Sequence, residues 1–315
     1  MKILKSIGII LGVILLLLLI GSLIINSRPI PTYEKANFNF KHNSSPEAII
    51  RGKKLTMMLC ASCHTNRKTG KLTGDQMLDA PAEFGKIYSQ NITQDKEFGI
   101  GNYTDAELVY LLRTGIKNNG QYSPPYMAKL PTMADDDINA IIAFLRSNDP
   151  MVIADNTPDK PCEPSFLTKV LSRIAFKPFP MPDKPISMPD TTNMVALGNY
   201  LGNNFECFSC HSADFKTNDF LSPPNSVGYY GGGNKPLNLQ GKIMPTPNLT
   251  PHETGIKNWT KEEFIKAVKN GNGKDGKPLR YPMNPYSNLT DIEAGAIYDY
   301  LQTVQPINNL VEKSK

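Results

Sequence analysis

Four of the five cysteines stand in two identical frames, and each frame ends in a histidine. The frames read CASCH at residues 60–64 and CFSCH at residues 207–211. Their reactive side chains are Cys60, Cys63 and His64 in the first and Cys207, Cys210 and His211 in the second. Two thiols at this spacing can add to the two vinyl groups of one porphyrin, and the adjoining histidine is placed to ligate the iron. CxxCH is the attachment signature of c-type haem, so the sequence predicts two covalently bound haem c groups.

Three other kinds of cysteine site fit this pattern less well. Zinc ribbons bring their two CxxC pairs together within about 20 residues, whereas these pairs lie 144 residues apart. A thioredoxin-like dithiol needs a βαβ setting that the sequence lacks. For a single CxxCH in an exported chain, a structural disulfide would be a serious alternative to haem. Two CxxCH motifs in equivalent positions of a repeat favour haem.

The chain contains an internal repeat. Residues 85–87 (GKI) recur as residues 241–243, and GIGNYT at residues 99–104 recurs as GIKNWT at residues 255–260, both at an offset of 156 residues. Self-similarity of this kind indicates duplication of one structural unit. The sequence therefore predicts two domains of the same architecture.

The repeat also selects a second axial ligand for each iron. Methionine is a common distal ligand of such haems and raises their potential, although most methionines are core filler. The candidates are Met77, Met127 and Met133 in the first half and Met244 and Met283 in the second. The 156-residue offset pairs Met127 with Met283, and both stand in proline-containing loops before a final helix. We expect these two as distal ligands, and the remaining histidines, His42 and His252, on solvated surfaces.

Helices must position these ligands, and their ends are visible in the sequence. Capping boxes are predicted at Thr104 to Glu107, Thr260 to Glu263 and Thr290 to Glu293, and Gly115 and Gly271 are expected to end two of the helices. The final helices are expected over about 135–146 and from residue 290 to about 303. The helix before the first CxxCH should begin at Ser45 and Pro46, and the one before the second should be capped by Thr191 or Thr192. Each domain is therefore expected to be small and all-α.

The N-terminal segment predicts a membrane anchor. Lys2 and Lys5 precede an uncharged apolar run from Ile7 to Ile25, which is long enough to cross a bilayer. A cleaved signal peptide usually has a shorter apolar region, and residues 26–31 contain no Ala-x-Ala-like cleavage site. Positive charge before the helix predicts a cytoplasmic N-terminus. We therefore expect a single-pass protein of the inner membrane with its haem domains on the periplasmic side.

Length and composition limit the classes of protein to consider. A chain of 315 residues with 40% hydrophobic and 20% charged residues is typical of a globular protein of about two domains. Its formal charge of +5 is scattered rather than gathered into runs, so we expect no nucleic-acid partner. An acidic protein partner is compatible with this charge.

Residues 150–189 have no counterpart in the repeat and are rich in proline. We interpret them as a linker that wraps one domain, with Cys162 as a buried free thiol or an interchain partner. Within it Leu167, Val170, Leu171 and Ile174 form a helical apolar stripe flanked by basic residues. Such a helix either lies on a membrane surface or docks on a haem domain, and we expect docking.

These motifs resemble the class I cytochrome c family. The spacing GxxLxxxxxCxxCH at residues 52–64 and the repeated Asn-Ile/Leu-Thr and Gly-Ile-x-Asn-Tyr/Trp-Thr blocks are similar to the multihaem cytochrome subunits of membrane-bound periplasmic alcohol and gluconate dehydrogenases. The resemblance covers about residues 45–148 and 190–304. The chain differs from those subunits in having two haem domains rather than three and in carrying its anchor at the N-terminus.

The resemblance implies an all-α chain of two tandem class I cytochrome c domains behind a transmembrane helix. We divide it into an anchor (1–30), a first domain (31–149), a linker (150–189), a second domain (190–307) and a tail (308–315). The implied function is transfer of single electrons between redox partners, either a dehydrogenase or a respiratory complex or oxidase, with no catalytic residues assigned. The alternative is a dihaem enzyme of the peroxidase or thiosulfate dehydrogenase type, in which one haem binds substrate. The longer interval between His211 and Gly241 in the second half is the asymmetry that would favour it.

Overall fold

The computed structural model describes residues 2–312, so Met1 of the predicted anchor and residues 313–315 of the predicted tail lie outside the described residues. The helices are α1 (Lys2–Ser27), α2 (Pro46–Leu59), α3 (Ala61–His64), α4 (Asp105–Thr114), α5 (Asp135–Leu145), α6 (Phe166–Ile174), α7 (Met194–Asn204), α8 (Cys207–His211), α9 (Lys261–Asn270) and α10 (Asp291–Leu301). Two 3-10 turns lie at Ala82–Phe84 and Pro223–Asn225. Strands β1 (Gly85–Lys86) and β2 (Glu163–Pro164) pair antiparallel.

The architecture is helix-rich rather than wholly helical. Long loops separate the helices, and they carry the isolated bridges that hold each half together. The β1–β2 pair joins the first half to the linker, with Gly85 opposite Pro164. The expectation of an all-α fold is thus confirmed only in its coarser form, a helix-rich structure, because much of the chain between the helices is irregular and β1 pairs with β2.

Helix α1 stands apart from the packed core. Within the described residues it is the one helix long and apolar enough to cross a membrane, over Ile3–Ser27. Its leucines and isoleucines are largely exposed, for example Leu17 at 62% and Leu23 at 69%. A helix that is apolar on all sides and covered on almost none is suited to a lipid environment.

Each half is built on one close pair of helices. Helix α2 crosses α5, and Gly52 lies where an added Cβ would meet the carbonyl oxygen of Ala140 at 1.8 Å. Helix α7 crosses α10 in the same way, and a Cβ on Gly198 would meet the carbonyl oxygen of Ala296 at 1.9 Å. Because only glycine allows two helix backbones to approach this closely, both crossings depend on the same residue type.

The predicted helix ends are mostly confirmed. All three capping boxes form, at Thr104, Thr260 and Thr290. Gly115 and Gly271 adopt the left-handed conformation at φ 83° and 70° and end α4 and α9. These signals are local in the chain, so they could be identified without tertiary information.

The N-cap of α7 was wrongly predicted. Asn193 caps the helix, with its side chain accepting a hydrogen bond from the backbone N–H of Ala196. The backbone N–H and hydroxyl of Thr192 instead donate to the Asp190 carboxylate at 2.9 and 2.6 Å. Asp190 therefore holds the threonine in a turn before the helix, and the next residue becomes the cap.

The linker packs against the first half. The backbone N–H of Asn91 donates to the Asp159 carboxylate at 2.6 Å, and the Asn91 side chain donates to the carbonyl of Asp155 at 2.8 Å. The Cys162 thiol is free and donates to the carbonyl of Tyr88 at 3.2 Å. The predicted wrapping segment is thus tied to the loop that follows the first CxxCH.

Helix α6 docks on the first half through its polar face. Thr168 and Ser172 are fully buried, and the Thr168 hydroxyl donates to the carbonyl of Phe84 at 2.8 Å. The predicted apolar stripe is only partly covered: Val170 and Leu171 are half-buried, whereas Leu167 is 42% and Ile174 71% exposed. Docking was expected, but through the apolar stripe.

The two halves meet through α2, α5, α7 and α10. Lys54 of α2 and Glu293 of α10 form a salt bridge. The hydroxyl of Tyr200 in α7 donates to the fully buried carboxylate of Asp137 in α5 at 2.6 Å and accepts from the backbone N–H of Ala134 at 3.1 Å. These contacts fix one half against the other.

Candidate haem attachment sites

The first CxxCH occupies a single helical turn next to α2. Helix α2 ends at Leu59, Cys60 caps it, and α3 runs from Ala61 to His64. The His64 ring Nδ1 lies 2.7 Å from the carbonyl oxygen of Gln90. The two thiols and the imidazole are thus presented by one turn, and the histidine ring is held by a loop 26 residues further on.

The second CxxCH has the same form with one extra residue before it. Glu206 lies between α7 and α8 in the left-handed conformation at φ 55°. Helix α8 then carries Cys207, Cys210 and His211. The His211 ring Nδ1 lies 2.9 Å from the carbonyl oxygen of Pro247. Gln90 directly precedes the Asn-Ile-Thr block of the repeat, and Pro247 directly precedes the matching Asn-Leu-Thr block, 157 residues later. The two histidines are therefore anchored at equivalent positions of the repeat.

These hydrogen bonds determine the tautomer of each histidine. A carbonyl oxygen only accepts, so Nδ1 of each ring carries the proton and Nε2 keeps its lone pair. Burial lowers the pKa of His64 and of His211, which opposes protonation of the ring. A neutral imidazole with its Nδ1–H bound to a carbonyl is the form in which histidine ligates a metal through Nε2.

Burial also holds the cysteines in the thiol form. It raises the pKa of Cys60 and of Cys207 to about 12 and that of Cys210 to about 11, and the neighbouring thiol of each motif adds to the first two shifts. All four are free thiols. The donor set therefore fits haem c, which uses two adjacent thiols for covalent bonds and one neutral imidazole for the iron.

The predicted distal methionines lie in loops of matching geometry. The backbone N–H of Met127 donates to the carbonyl of Pro124 at 3.2 Å, and that of Met283 donates to the carbonyl of Arg280 at 3.1 Å. Both methionine side chains are half-buried. The hydroxyl of Ser123 lies 3.6 Å from the Met127 sulfur.

Both methionine loops are tied to the preceding helix in the same way. The backbone N–H of Leu130 donates to the carbonyl of Leu112 at 2.7 Å, and that of Tyr286 donates to the carbonyl of Val268 at 2.8 Å. Both pairs are related by the 156-residue offset. The repeat found in the sequence therefore extends to the backbone hydrogen bonds that position Met127 and Met283.

The competing ligand candidates have other roles. Met133 is fully buried in the hydrophobic core. The His42 ring Nδ1 lies 2.7 Å from the Asp105 carboxylate, and the His252 ring Nδ1 lies 2.9 Å from the Thr254 hydroxyl. Both side chains are half-buried rather than on the solvated surfaces expected for them. Core packing and local polar contacts account for these residues without a metal.

Both methionine loops interact with residues of the opposite half. Tyr281, in the second methionine loop, donates its hydroxyl to the Asp79 carboxylate of the first half at 2.6 Å. Burial and this hydrogen bond raise the pKa of Tyr281, and the nearby Cys63 adds to the shift. Conversely, Lys129 of the first methionine loop interacts electrostatically with Glu206 beside the second CxxCH. Each methionine loop thus lies against the other half's attachment motif.

Sequence reasoning missed the buried ionisable residues Lys129 and Glu206 at this interface. Burial lowers the pKa of Lys129 and raises that of Glu206, while each charge favours the ionised form of the other. One signal was available for Glu206, because the interval from Gly198 to Cys207 is one residue longer than that from Gly52 to Cys60. Nothing in the sequence marked Lys129, since its environment comes from the opposite half.

The sequence of the chain is similar to those of known proteins. A model of the cytochrome c family matches residues 49–149. The chain is 31% identical over 239 residues to the cytochrome c subunit of the quinone alcohol dehydrogenase of Gluconobacter oxydans (strain 621H), covering 71% of this chain and 47% of the relative. It is 28% identical over 273 residues to the fructose dehydrogenase cytochrome subunit of Gluconobacter japonicus, covering 82% and 52%.

The chain is also similar to a third dehydrogenase subunit. The gluconate 2-dehydrogenase cytochrome c subunit of Pantoea cypripedii is 25% identical over 262 residues, covering 78% of this chain and 56% of the relative. The chain spans about half the length of these three curated relatives. Residues 49–149 therefore belong to the cytochrome c family, and this membership implies covalently bound haem c.

Proposed function

We propose that the chain is a dihaem cytochrome c that is anchored in a membrane and transfers single electrons as the haem subunit of a dehydrogenase. The observation that carries the proposal is the repetition of one ligand-positioning set of hydrogen bonds in both halves. The similarity to cytochrome subunits of alcohol, fructose and gluconate dehydrogenases supports the choice of partner. A respiratory complex or oxidase is the expected partner on the other side of the relay.

We assign two ligand sets. The first comprises Cys60, Cys63, His64 and Met127, and the second comprises Cys207, Cys210, His211 and Met283. A bound haem c supplies an iron that accepts and releases one electron, and methionine ligation raises its potential. The reciprocal contacts of the two methionine loops support a short distance between the two sites, which an internal electron relay requires.

The chain's own residues hold the ligands rigidly. The carbonyls of Gln90 and Pro247 orient the imidazoles, and burial keeps both rings neutral. An electron carrier benefits from such fixed ligands because its redox change then requires little structural rearrangement. Electron transfer itself requires no group in either ligand set to act as an acid, a base or a nucleophile.

We place the protein in the inner membrane with its haem domains on the periplasmic side. The support is α1, which is apolar along its whole length and exposed, together with the CxxCH motifs on the far side of it from Lys5. A signal sequence passes the same test of length and composition. The mass of the mature protein separates the two, since cleavage would remove most of α1.

Haem stoichiometry and ligand binding test the central proposal. The full chain, matured with haem and purified in detergent, is expected to contain two haems, while C60A/C63A and C207A/C210A each contain one. Its absorption spectrum, recorded oxidised, reduced and reduced with carbon monoxide, is expected to show two low-spin irons that do not bind carbon monoxide. One haem per wild-type chain would refute the dihaem assignment.

The alternative is a dihaem enzyme with one open iron. It rests on the longer loop between His211 and Gly241 in the second half, whereas both halves share the same ligand-positioning contacts. Carbon monoxide binding at one haem of the wild-type protein would favour this enzyme over the carrier. The C207A/C210A variant would then show whether the open iron belongs to the second half.

A further inference from the structure

A basic cavity lies beside the C-terminal end of α1. It measures about 450 Å³, and its lining includes Arg28, Ile30, Tyr33, Arg173 and Lys177. The cavity is therefore large enough for a phosphate with part of a glycerol.

Hydrogen bonds hold this cavity at the end of α1. The Arg173 guanidinium donates to the carbonyl of Pro29 at 2.8 Å. Lys169 donates to the carbonyl of Asn26, in the last turn of α1. A cation there also interacts favourably with the C-terminal end of the helix dipole. Helix α6 is thus fixed level with the point where α1 leaves the apolar layer.

The positive charges of the cavity are not neutralised by the protein. Over residues 2–312, Arg28, Arg173 and Lys177 form no salt bridge with a carboxylate. Their position also runs against the usual bias of Lys and Arg toward the cytoplasmic side. The cluster is therefore available to bind anions from outside the chain.

The orientation of α6 indicates where those anions come from. Its polar residues Thr168 and Ser172 face the protein, while Leu167 and Ile174 are exposed beside the basic residues. Apolar side chains next to Lys and Arg are typical of a helix at a membrane interface. In water this orientation leaves Leu167 and Ile174 without the burial that would stabilise them.

We propose that Arg28, Arg173 and Lys177 bind the phosphate of an anionic phospholipid, and that Leu167 and Ile174 enter the membrane interface beside it. The lipid would fix the tilt of the haem domains over the bilayer and so hold the relay at a constant height for its partners. The inference rests on the proposed membrane anchor but not on the number of haems.

Native mass spectrometry of the full chain in detergent tests this proposal. The protein is titrated with phosphatidylglycerol or with phosphatidylcholine of the same acyl chains. The wild type is expected to retain one phosphatidylglycerol at a concentration about tenfold lower than it needs for phosphatidylcholine, given the contribution of each basic residue at an anionic surface. Equal retention of the two lipids would overturn the proposal.

Charge-matched variants locate the site. R28Q/R173Q/K177Q is expected to lose the preference, whereas K216Q/K235Q/K242Q, which removes three exposed lysines of the second half, retains it. R28Q/K177Q leaves the Arg173 to Pro29 hydrogen bond in place and should lose most of the preference if the triple variant fails to fold. Retention of the wild-type preference by R28Q/K177Q would overturn the assignment of these residues.

Two further measurements distinguish failure of the lipid proposal from failure of the membrane anchor or of the dihaem proposal. Inorganic phosphate that displaces phosphatidylglycerol at equal concentration would show a phosphate site and overturn the lipid assignment. The same spectra report the intact mass of the chain and its haem content. Loss of α1 would therefore register as failure of the anchor, and a single haem as failure of the dihaem proposal, each independently of lipid binding.

Discussion

At the scale of single residues, the arrangement around each CxxCH explains how ordinary side chains become specific ligands. His64 and His211 are neutral because they are buried, and each is a single tautomer because a carbonyl accepts from its Nδ1. Met127 and Met283 differ from the other methionines by their place in equivalent loops rather than by their chemistry. Their role is therefore the assignment that most needs a test by substitution.

Replacing either methionine should open one iron. In M127A and in M283A, we expect the reduced protein to bind carbon monoxide at one haem per chain, because no other side chain is held in the same position. M133A is the matched control, since Met133 is fully buried in the core. It should lose about 2–5 kcal/mol of unfolding free energy to the cavity, yet remain unreactive toward carbon monoxide. Absorption spectra check both, and an unreactive M127A would exclude Met127 as a ligand.

The linker contributes stability that depends on pH through Asp155. Its hydrogen bonds from Lys71 and Thr157 lower the pKa of the carboxyl from 3.8 to about 2 in the folded protein. Because the folded pKa is the lower one, this stabilisation is present above pH 4 and is lost as the pH falls through about 2.

The difference in unfolding free energy between wild type and D155N should therefore shrink as the pH falls from 5 to 2. Denaturant unfolding of the full chain in detergent at several pH values checks this expectation. D183N, at an exposed carboxylate of the same linker, is the control and should leave stability unchanged. A difference between wild type and D155N that does not vary with pH would contradict the role of Asp155.

At the scale of secondary structure, the haem-bearing turns are positioned by two equivalent helix crossings. Gly52 and Gly198 allow α2 and α7 to approach α5 and α10 closely. The CxxCH turn follows directly after α2 and two residues after the end of α7. An error in either crossing would shift the thiols and the histidine together. The glycines are therefore as important for the sites as the ligands that follow them.

A methyl group at either crossing should be poorly tolerated. In G52A and G198A, the new Cβ would lie within 2 Å of a backbone carbonyl oxygen, so the helices must separate, at a cost of about 3 kcal/mol or more. In G295A, in α10, the new Cβ meets only the outer atoms of side chains, Lys261 at 3.3 Å and Ile265 at 3.6 Å, and the change should be neutral or up to ~1 kcal/mol stabilising. Thermal unfolding compares the three, and equal melting temperatures would refute the close-crossing argument.

At the scale of the whole molecule, the halves are docked so that each methionine loop lies against the other half's attachment motif. The Tyr200 hydroxyl contributes to this docking because it bonds both Asp137 and the backbone N–H of Ala134. Asp137 is fully buried, so its carboxylate depends on the donors around it. Relative motion of the halves would change the separation of the two sites.

Removing that hydroxyl should weaken the docking and leave the sites intact. Y200F is expected to lose about 1–3 kcal/mol of stability, because a buried carboxylate and a backbone N–H both lose a partner. If the two sites exchange electrons, their internal equilibration after flash reduction should slow, with both haems retained. Y298F, which removes a hydrogen bond within the second half, is the control and should not alter the rate. An unchanged rate in Y200F would argue against control by docking.

The sequence alone determined the attachment motifs, the duplication, the paired methionines and most helix ends. These features depend on covalent spacing and on contacts within a few residues, which is why the caps at Ser45, Thr104 and Thr260 formed as predicted. The prediction of the α7 cap failed because Asp190 competes for Thr192, a choice between two local hydrogen-bonding patterns that the sequence left open.

Only the tertiary structure decided which surfaces meet. Leu167 and Ile174 of α6 are exposed while Thr168 and Ser172 are buried against the first half, and periodicity cannot tell which face of a helix a particular surface accepts. The charges of Lys129 and Glu206 act on one another although they are 77 residues apart in the chain. Their proximity depends on the docking of two complete halves, and that docking results from the sum of many weak contacts rather than from any single motif.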